Sequence, residues 1–351
     1  MDYYELRKYI FKLDPETAHG AVEFLLESAG FFPFVLNYLK KKFCVEDERL
    51  SQRIWDRDFK NPVGLGAGFD KNATMIKGFY ALGFGFTEVG TVTLKPQSGN
   101  PKPRLFRYPK YESLQNAMGF NNDGAEVIKE RVKRLYPFEI PIGVNIGKNK
   151  TTPQDRAIED YEELIKTFKE VCDFLVVNVS SPNTPNLRDL QNEEFIKELF
   201  KRAKAVTDKP VLLKLAPDME IDTALSLCQT AINSFADGII ATNTTMDYSL
   251  LPGAKDFGGV SGKVLKEKSF VFFEEIAKHF YKQTVLISVG GIDGAKEAIR
   301  RLRAGANLIE IFTALVFKGP SLAKEINEGI LKELDREGLK NIQELIGTDR
   351  E

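Results

Sequence analysis

The run Asn178-Val-Ser-Ser-Pro-Asn-Thr-Pro-Asn186 concentrates amide and hydroxyl side chains between prolines that fix the backbone. An amide offers donor and acceptor together, so Asn178 and Asn183 suit a planar ligand that carries both amide and carbonyl groups. Ser181 lies between them and is placed to touch the same ligand. The run directly follows Phe174-Leu-Val-Val177, an apolar, β-branched and aromatic stretch that reads as a buried parallel strand. An ordinary Asn/Ser/Pro turn has the same composition. The argument for a site is that the other strands of the chain end in a similar way.

Eight short apolar runs recur, near Val63–Gly66, Phe86–Thr91, Ile142–Ile146, Phe174–Val179, Val211–Leu215, Gly238–Thr242, Val285–Val289 and Leu308–Phe312. Between them the apolar period changes to that of a helix. Ala157, Tyr161, Leu164, Ile165, Phe168 and Val171 form one stripe, with Thr152-Pro153 expected as N-cap and first helical residue. Ile221, Ala224, Leu225, Cys228, Ala231, Ile232 and Phe235 form another. Eight βα alternations in roughly 270 residues fit an α/β fold of the (β/α)8 barrel type better than an open sheet. Chemistry in such barrels sits at the C-terminal ends of the strands. Those ends read Gly66-Ala-Gly-Phe-Asp-Lys71, Gly90-Thr91, Asn145, Asn178 with Ser181, Lys214, Thr242-Asn-Thr244, Gly290-Gly291 and Phe312-Thr313. Each is weak alone; their convergence on one mouth is the signal.

Composition excludes several classes. The 351 residues carry a net charge of −1 with pI near 6.3, which gives no support to nucleic-acid binding. Cys44, Cys172 and Cys228 lack paired or metal-ligand spacing and read as reduced apolar residues. His19 and His279 are the only histidines, so a His-based metal site is not expected, and His279 reads as a plain helix residue. The sequons at Asn72, Asn178 and Asn243 fall at strand ends rather than on surface loops of a secreted chain.

The N-terminus has a different character. Met1-Asp-Tyr-Tyr-Glu lacks the basic start of a signal peptide, and no apolar run is long enough to span a bilayer. Asp14-Pro15 should cap a helix bearing Ala18, Ala21, Val22, Leu25 and Leu26; Gly30-Phe-Phe-Pro33 should turn the chain into a second helix ending at Lys40-Lys-Lys42. Two amphipathic helices with a Phe-rich tip and a lysine edge suit a membrane surface, while a hairpin docked on the barrel fits the same pattern. His19 shares a face with Val22 and Leu26. The expected division is an N-terminal helical element over residues 1–45 and a barrel over 46–351.

Late-strand glycines suggest a phosphate held by backbone N–H groups after strands 7 and 8. Gly290-Gly291, with Asp293 expected to open the next helix, Thr313 and Ser261-Gly262 supply that geometry. No Gly-x-Gly-x-x-Gly fingerprint stands in a βαβ context. A phosphate site beside amide-rich mouth residues and Lys214 points to FMN, because a lysine near the ring stabilises its anionic reduced form.

At this level of detail the chain resembles the dihydroorotate dehydrogenase family. The resemblance rests on Asn178-Val-Ser-Ser-Pro-Asn-Thr-Pro, Asn116-Ala-Met-Gly-Phe-Asn-Asn122, Ile240-Ala-Thr-Asn-Thr-Thr245, Val289-Gly-Gly-Ile-Asp293, Gly66-Ala-Gly-Phe-Asp-Lys71, Asn145-Ile-Gly-Lys-Asn-Lys150 and Lys214-Leu-Ala-Pro-Asp218. Leu13-Asp-Pro-Glu-Thr-Ala-His19, Pro103-Arg-Leu-Phe-Arg107 and the serine at 181 are similar to the quinone-linked class 2 branch. The resemblance implies oxidation of (S)-dihydroorotate to orotate in pyrimidine biosynthesis, with one FMN per chain and a respiratory quinone as second acceptor. It implies Ser181 as catalytic base with Thr184 in the proton relay. Substrate would be held by Lys71, the segment Asn116, Ala117, Met118, Gly119 and Phe120, and by Asn178, Asn183, Asn243 and Thr244. FMN would be held by Ala67, Gly68, Phe69, Asp70, Lys71, Thr91, Asn145, Asn178, Lys214, Thr242, Gly262, Gly291, Phe312 and Thr313.

His19 and Arg107 would flank the quinone. Position 312 is Phe where the family commonly has Tyr, which removes a hydroxyl near flavin and quinone. Mitochondrial relatives add a targeting sequence and a membrane span; without them, a peripheral position on the cytoplasmic face of a bacterial inner membrane is expected. No metal, nucleic acid or obligate protein partner is implied. The rival readings are a flavin barrel using a soluble acceptor and a non-redox barrel acting on a phosphosugar.

Overall fold

The computed structural model describes residues 3–350, and its centre is a closed parallel barrel. The strands are β1 (Val63–Leu65), β2 (Phe86–Val92), β3 (Ile142–Ile146), β4 (Phe174–Asn178), β5 (Val211–Leu215), β6 (Gly238–Ala241), β7 (Val285–Val289) and β8 (Leu308–Ile311), paired in sequence order and closed by β8 on β1. All eight expected strands form, within a residue or two of the expected ends.

Period-two alternation sorts each strand into two faces. Val63, Leu65, Val144, Leu175, Leu213, Ile239, Leu286 and Ile309 join the outer core beneath the helices. Phe86, Phe174, Val176, Leu212, Ile240, Ile287 and Leu308 fill the lower interior. The hairpin Gln52–Ile54/Arg57–Phe59 plugs the bottom, with Phe59 edge-on to Phe86 at 5.5 Å and Trp55 beside Phe174 at 5.6 Å. Large rings fit because their neighbours are glycines: a Cβ at Gly64 would lie 2.1 Å from the Phe86 ring, and one at Gly143 2.2 Å from that of Phe174. One step higher, the same inward rows carry Glu88, Asn145, Asn178, Lys214 and Glu310. The β2–β3 register is irregular between Val89 and Val92, and such irregularities re-aim side chains at barrel rims; Thr91 lies there.

The N-terminal region forms three helices rather than two: α1 (Tyr3–Ile10), α2 (Pro15–Ala29) and α3 (Pro33–Phe43). The α1 helix is short and charged, with no buried residue, so it left no apolar stripe. Its Tyr3 hydroxyl donates to Val316 O at 2.8 Å and Arg7 donates to Phe317 O, which tie it to the short helix Thr313–Lys318 after β8. Asp14 caps α2 by accepting from the Glu16 and Thr17 amides at 3.0 and 3.2 Å. No single described helix is long and apolar enough to cross a membrane; α2 and α3 together have the length and composition of a span broken by a 110° bend. Leu26 packs on Gly78, whose added Cβ would lie 2.9 Å away, while Phe31 and Phe34 at the tip are 75% and 72% exposed.

Two helix starts differ from expectation. Thr152 does not cap a helix at Pro153: its hydroxyl donates to Asp160 Oδ2 at 2.7 Å, a 3-10 turn fills Gln154–Arg156, and the α-helix begins at Ala157. Asp293 does not open the helix after β7, which spans Ala295–Arg303; it is drawn to Lys266 Nζ at 2.7 Å.

Phe174→Ala should empty the lower layer and lower the unfolding free energy by about 3–5 kcal/mol. Denaturant unfolding measures this, and a loss below about 1 kcal/mol would mean the ring is not a packing element.

Candidate active site

The inward polar layer opens into one cavity of about 760 Å³ that runs from the barrel mouth out between the N-terminal helices. On the amide side, Asn116, Met118, Gly119, Phe120, Asn178, Ser181, Asn183, Asn243 and Thr244 line it. Asn183 Nδ2 donates to Asn116 Oδ1 at 2.9 Å, and Asn243 Nδ2 donates to Ser180 Oγ at 2.9 Å. The Oδ1 of Asn183 and the hydroxyl of Thr244 are buried without a protein partner. Buried polar atoms left unpaired are costly, so this wall is built to meet a polar ligand. Ser181 is 5% exposed and its Oγ accepts from the Asn183 amide at 3.2 Å.

Opposite stand Ala67, Gly68, Phe69 and Lys71 of the loop after β1. The Lys71 ammonium forms no hydrogen bond or ion pair with the described chain, and burial draws it down to about 8 against the raising fields of Glu23, Glu16 and Asp70. Asp70, Ala117, Asn145 and Thr184 do not line the cavity. Asp70 is fully buried and accepts from the Thr74 and Met75 amides at 2.9 Å, so it shapes the loop that presents Lys71; burial raises it to about 6. The Ala117 amide donates to the Arg104 carbonyl at 2.8 Å. Asn145 lies one layer below, donating to Glu88 and accepting from Thr91 and Asn178. Thr184 is buried, its hydroxyl unpartnered.

The third wall fits a phosphate group. Gly262, Gly290 and Gly291 have φ of 100°, 118° and 70°, a region that glycine enters without strain. A Cβ on Gly291 would lie 2.4 Å from the Lys266 backbone, and one on Gly262 2.7 Å from Thr313. Thr313 and Ser261 share a 2.8 Å hydroxyl contact beside them. Behind this cradle the fully buried Arg301 donates to Gly290 O, Lys266 O and Ser269 Oγ at 2.9–3.1 Å, and Glu297 neutralises it at 2.7 Å. The floor suits a planar ring with mixed donors and acceptors: Thr91, Asn178, Lys214 and Thr242 line it.

Three side chains here were not singled out from sequence. Glu88 and Glu310 flank Lys214 at 2.6 and 3.3 Å; a glutamate inside each apolar run, Phe86-Thr-Glu88 and Leu308-Ile-Glu310, was the available signal. Arg188 had none. It donates to Ser180 O at 2.9 Å, to Asp218 Oδ2 at 2.9 Å and to Thr244 O at 3.0 Å, stapling the Ser181 loop to the loops after β5 and β6.

At the outer end, His19 packs edge-on to Phe69 at 5.0 Å, and Phe69 to Phe312 at 5.3 Å. Burial, with the charge of Lys71 behind it, lowers His19 to about 3, so its imidazole is neutral at physiological pH. Arg107 donates to the Ile10 and Leu13 carbonyls, and its guanidinium lies 4.6 Å from the Phe11 ring centre. Leu6, Ile10, Val22, Leu25 and Leu39 complete this apolar end.

Such a barrel, with a planar, phosphate-bearing ligand site at its strand ends, defines a (β/α)8 enzyme of the flavin-dependent kind. The chain belongs to the dihydroorotate dehydrogenase family, whose model matches residues 49–334. It is 62% identical over 349 residues to the dihydroorotate dehydrogenase (quinone) of a Nitratiruptor species, covering 99% of both chains. It is 55% identical to that of a Sulfurovum species, covering 99% and 98%. Among solved structures, the Eimeria tenella DHODH in complex with ferulenol superposes with a TM-score of 0.87 at 35% identity over 96% of each chain. The ligand-free type gives 0.87 at 34%, over 96% and 99%.

Only the ammonium form of Lys71 attracts an anion. Affinity for a planar carboxylate such as orotate should therefore be full below about pH 8 and fall about tenfold per unit above it. Titration calorimetry on wild type and Lys71→Met checks this; the same pH slope in the variant would remove Lys71 from the anion site.

Proposed function

We propose that this chain oxidises (S)-dihydroorotate to orotate for pyrimidine biosynthesis, using FMN, and delivers the electrons to a respiratory quinone at the cytoplasmic face of the bacterial inner membrane. The observation that carries the reading is the single continuous cavity: Ser181, Lys71 and the asparagine wall stand at one end, a glycine cradle at its side and an apolar throat at the other end.

Lys71 pairs with the substrate carboxylate, and Asn116, Asn178, Asn183, Asn243 and Thr244 hold the ring amides and carbonyls, with the unpaired Oδ1 of Asn183 and hydroxyl of Thr244 as the groups left open for it. Met118, Gly119 and Phe120 close over the ring. Bound FMN supplies the acceptor for the hydride leaving C6. Ser181 Oγ takes the C5 proton. A serine hydroxyl is a weak base on its own, so it must pass its proton on as it accepts another. Thr184, three residues on and buried with an unpartnered hydroxyl, is the relay. Ala67, Gly68, Phe69, Thr91, Lys214, Thr242 and Phe312 bound the ring of FMN, and Gly262, Gly291 and Thr313 its phosphate. Asp70 and Asn145 act through the residues they position.

Residues 1–45 serve as the quinone throat. Neutral His19 offers a hydrogen bond to a quinone carbonyl, and Arg107 fixes the α1–α2 link at the rim. Phe312 brings no hydroxyl, so quinone recognition rests on those groups and on apolar surface. The exposed Phe24, Phe31, Phe32 and Phe34, edged by Lys40–Lys42, lie on the membrane surface.

Ser181→Ala should retain FMN and slow its reduction by dihydroorotate roughly 10²–10⁴-fold in stopped flow. Reduction at the wild-type rate would remove Ser181 as the base. Deleting residues 1–45 should leave flavin reduction intact while turnover with a long-chain quinone collapses and a small soluble dye still accepts electrons. An assay of the full chain with quinone, fumarate and NAD should favour quinone; undiminished quinone turnover by the truncated chain would reduce these helices to packing.

A further inference from the structure

Glu88 of β2, Lys214 of β5 and Glu310 of β8 point into the barrel from one layer, where 0%, 5% and 0% of each is exposed. Two carboxylates and one ammonium would leave a net negative charge in the interior if both acids were ionised. A buried charge without a partner is removed by protonation well before it is tolerated. The hydrogen bonds identify the acid that takes the proton. Glu88 accepts from Lys214 Nζ at 2.6 Å, from the Ala67 amide at 3.0 Å and from Asn145 Nδ2 at 2.7 Å, the donor set of an ionised carboxylate. Glu310 meets Lys214 at a longer 3.3 Å and shares a side-chain hydrogen bond with Glu88, while its Oε1 is buried with no donor on it. The strands beside Glu310 bring no further charge: Ile287 and Val289 face inward from β7, and Gly64 and Gly66 from β1. Burial, then the charge of Glu88, push the Glu310 acid well above the usual carboxyl range, the direction the geometry requires. Burial alone would raise Glu88 too, but Lys214 and its hydrogen bonds hold it below that range.

We propose that Glu310 is a neutral carboxylic acid that shares its proton with ionised Glu88 and so keeps the floor of the cofactor cavity free of net charge. Glu310 is a positioning residue: no proton leaves it during turnover. For what lies above the floor this rests on the FMN reading; the protonation state itself belongs to the protein. A ring gaining electrons gains negative charge, which an uncharged floor containing the Lys214 ammonium accommodates. If Glu310 ionises, the floor becomes anionic and opposes reduction.

Infrared spectra of the wild-type holoenzyme and Glu310→Gln at neutral pH test the state directly. Wild type should show the carbonyl stretch of a protonated acid, shifted in D2O and lost in Glu310→Gln; subtracting the two removes any contribution from Asp70. In Glu88→Gln, Glu310 becomes the sole counter-ion of Lys214, and the same band should vanish. Spectroelectrochemical titration should then show the wild-type flavin potential falling more steeply than that of Glu310→Gln at alkaline pH. Identical spectra for wild type and Glu310→Gln, or a band surviving in Glu88→Gln, would overturn the assignment. Parallel potential–pH lines would overturn its role toward the ring. A wild-type protein that shows the band but binds no flavin would overturn the cofactor reading and leave the Glu310 assignment standing.

Discussion

A closed parallel barrel has an inside, and every strand must place every second residue there. That constraint governs the rest of this molecule. Low in the barrel it is met by size, with rings set against glycines; one layer higher it is met by charge. Lys214 can stand in the interior because Glu88 and Glu310 stand beside it, and Glu88 in turn holds the Ala67 amide and Asn145 where a ring-binding floor needs them. Replacing Lys214 would leave the ionised Glu88 uncompensated, the costly way to break a buried ionic group. Substrate wall, phosphate cradle and apolar throat are all arranged around that floor.

The strands and the polar residues at their ends were legible in the chain because both obey local rules: apolar runs of strand length, followed by residues that a turn alone does not require. Ser181, Lys71 and the asparagines were found that way and lie around one cavity. What was illegible depends on distance in sequence. Arg188 joins carbonyls at 180 and 244, and no local pattern encodes such a bridge. Glu88 and Glu310 are 222 positions apart, as their numbers show, and only closure of the barrel makes them neighbours. The α1 helix was missed because it docks through Tyr3 and Arg7 onto carbonyls after β8 rather than through an apolar face.

Cap chemistry shows the same competition on a smaller scale. Thr152 and Asp293 both have the side chains that start helices, and both are diverted, Thr152 to Asp160 and Asp293 to Lys266. Asp14, with no rival partner for its carboxylate, caps α2 as its sequence suggests. Sequence supplies the candidates for a cap; tertiary neighbours select among them.

The Arg188 bridge also has a mechanical meaning. Because Arg188 sits on the Ser181 loop and bonds to the loops after β5 and β6, that loop cannot lift residue by residue: the contacts to Asp218 and Thr244 must be released together. A charged hydrogen bond contributes about 1.5–3 kcal/mol, so a form with these contacts broken is a minor population. Arg188 therefore stiffens the wall that carries Ser181 without lining the cavity itself.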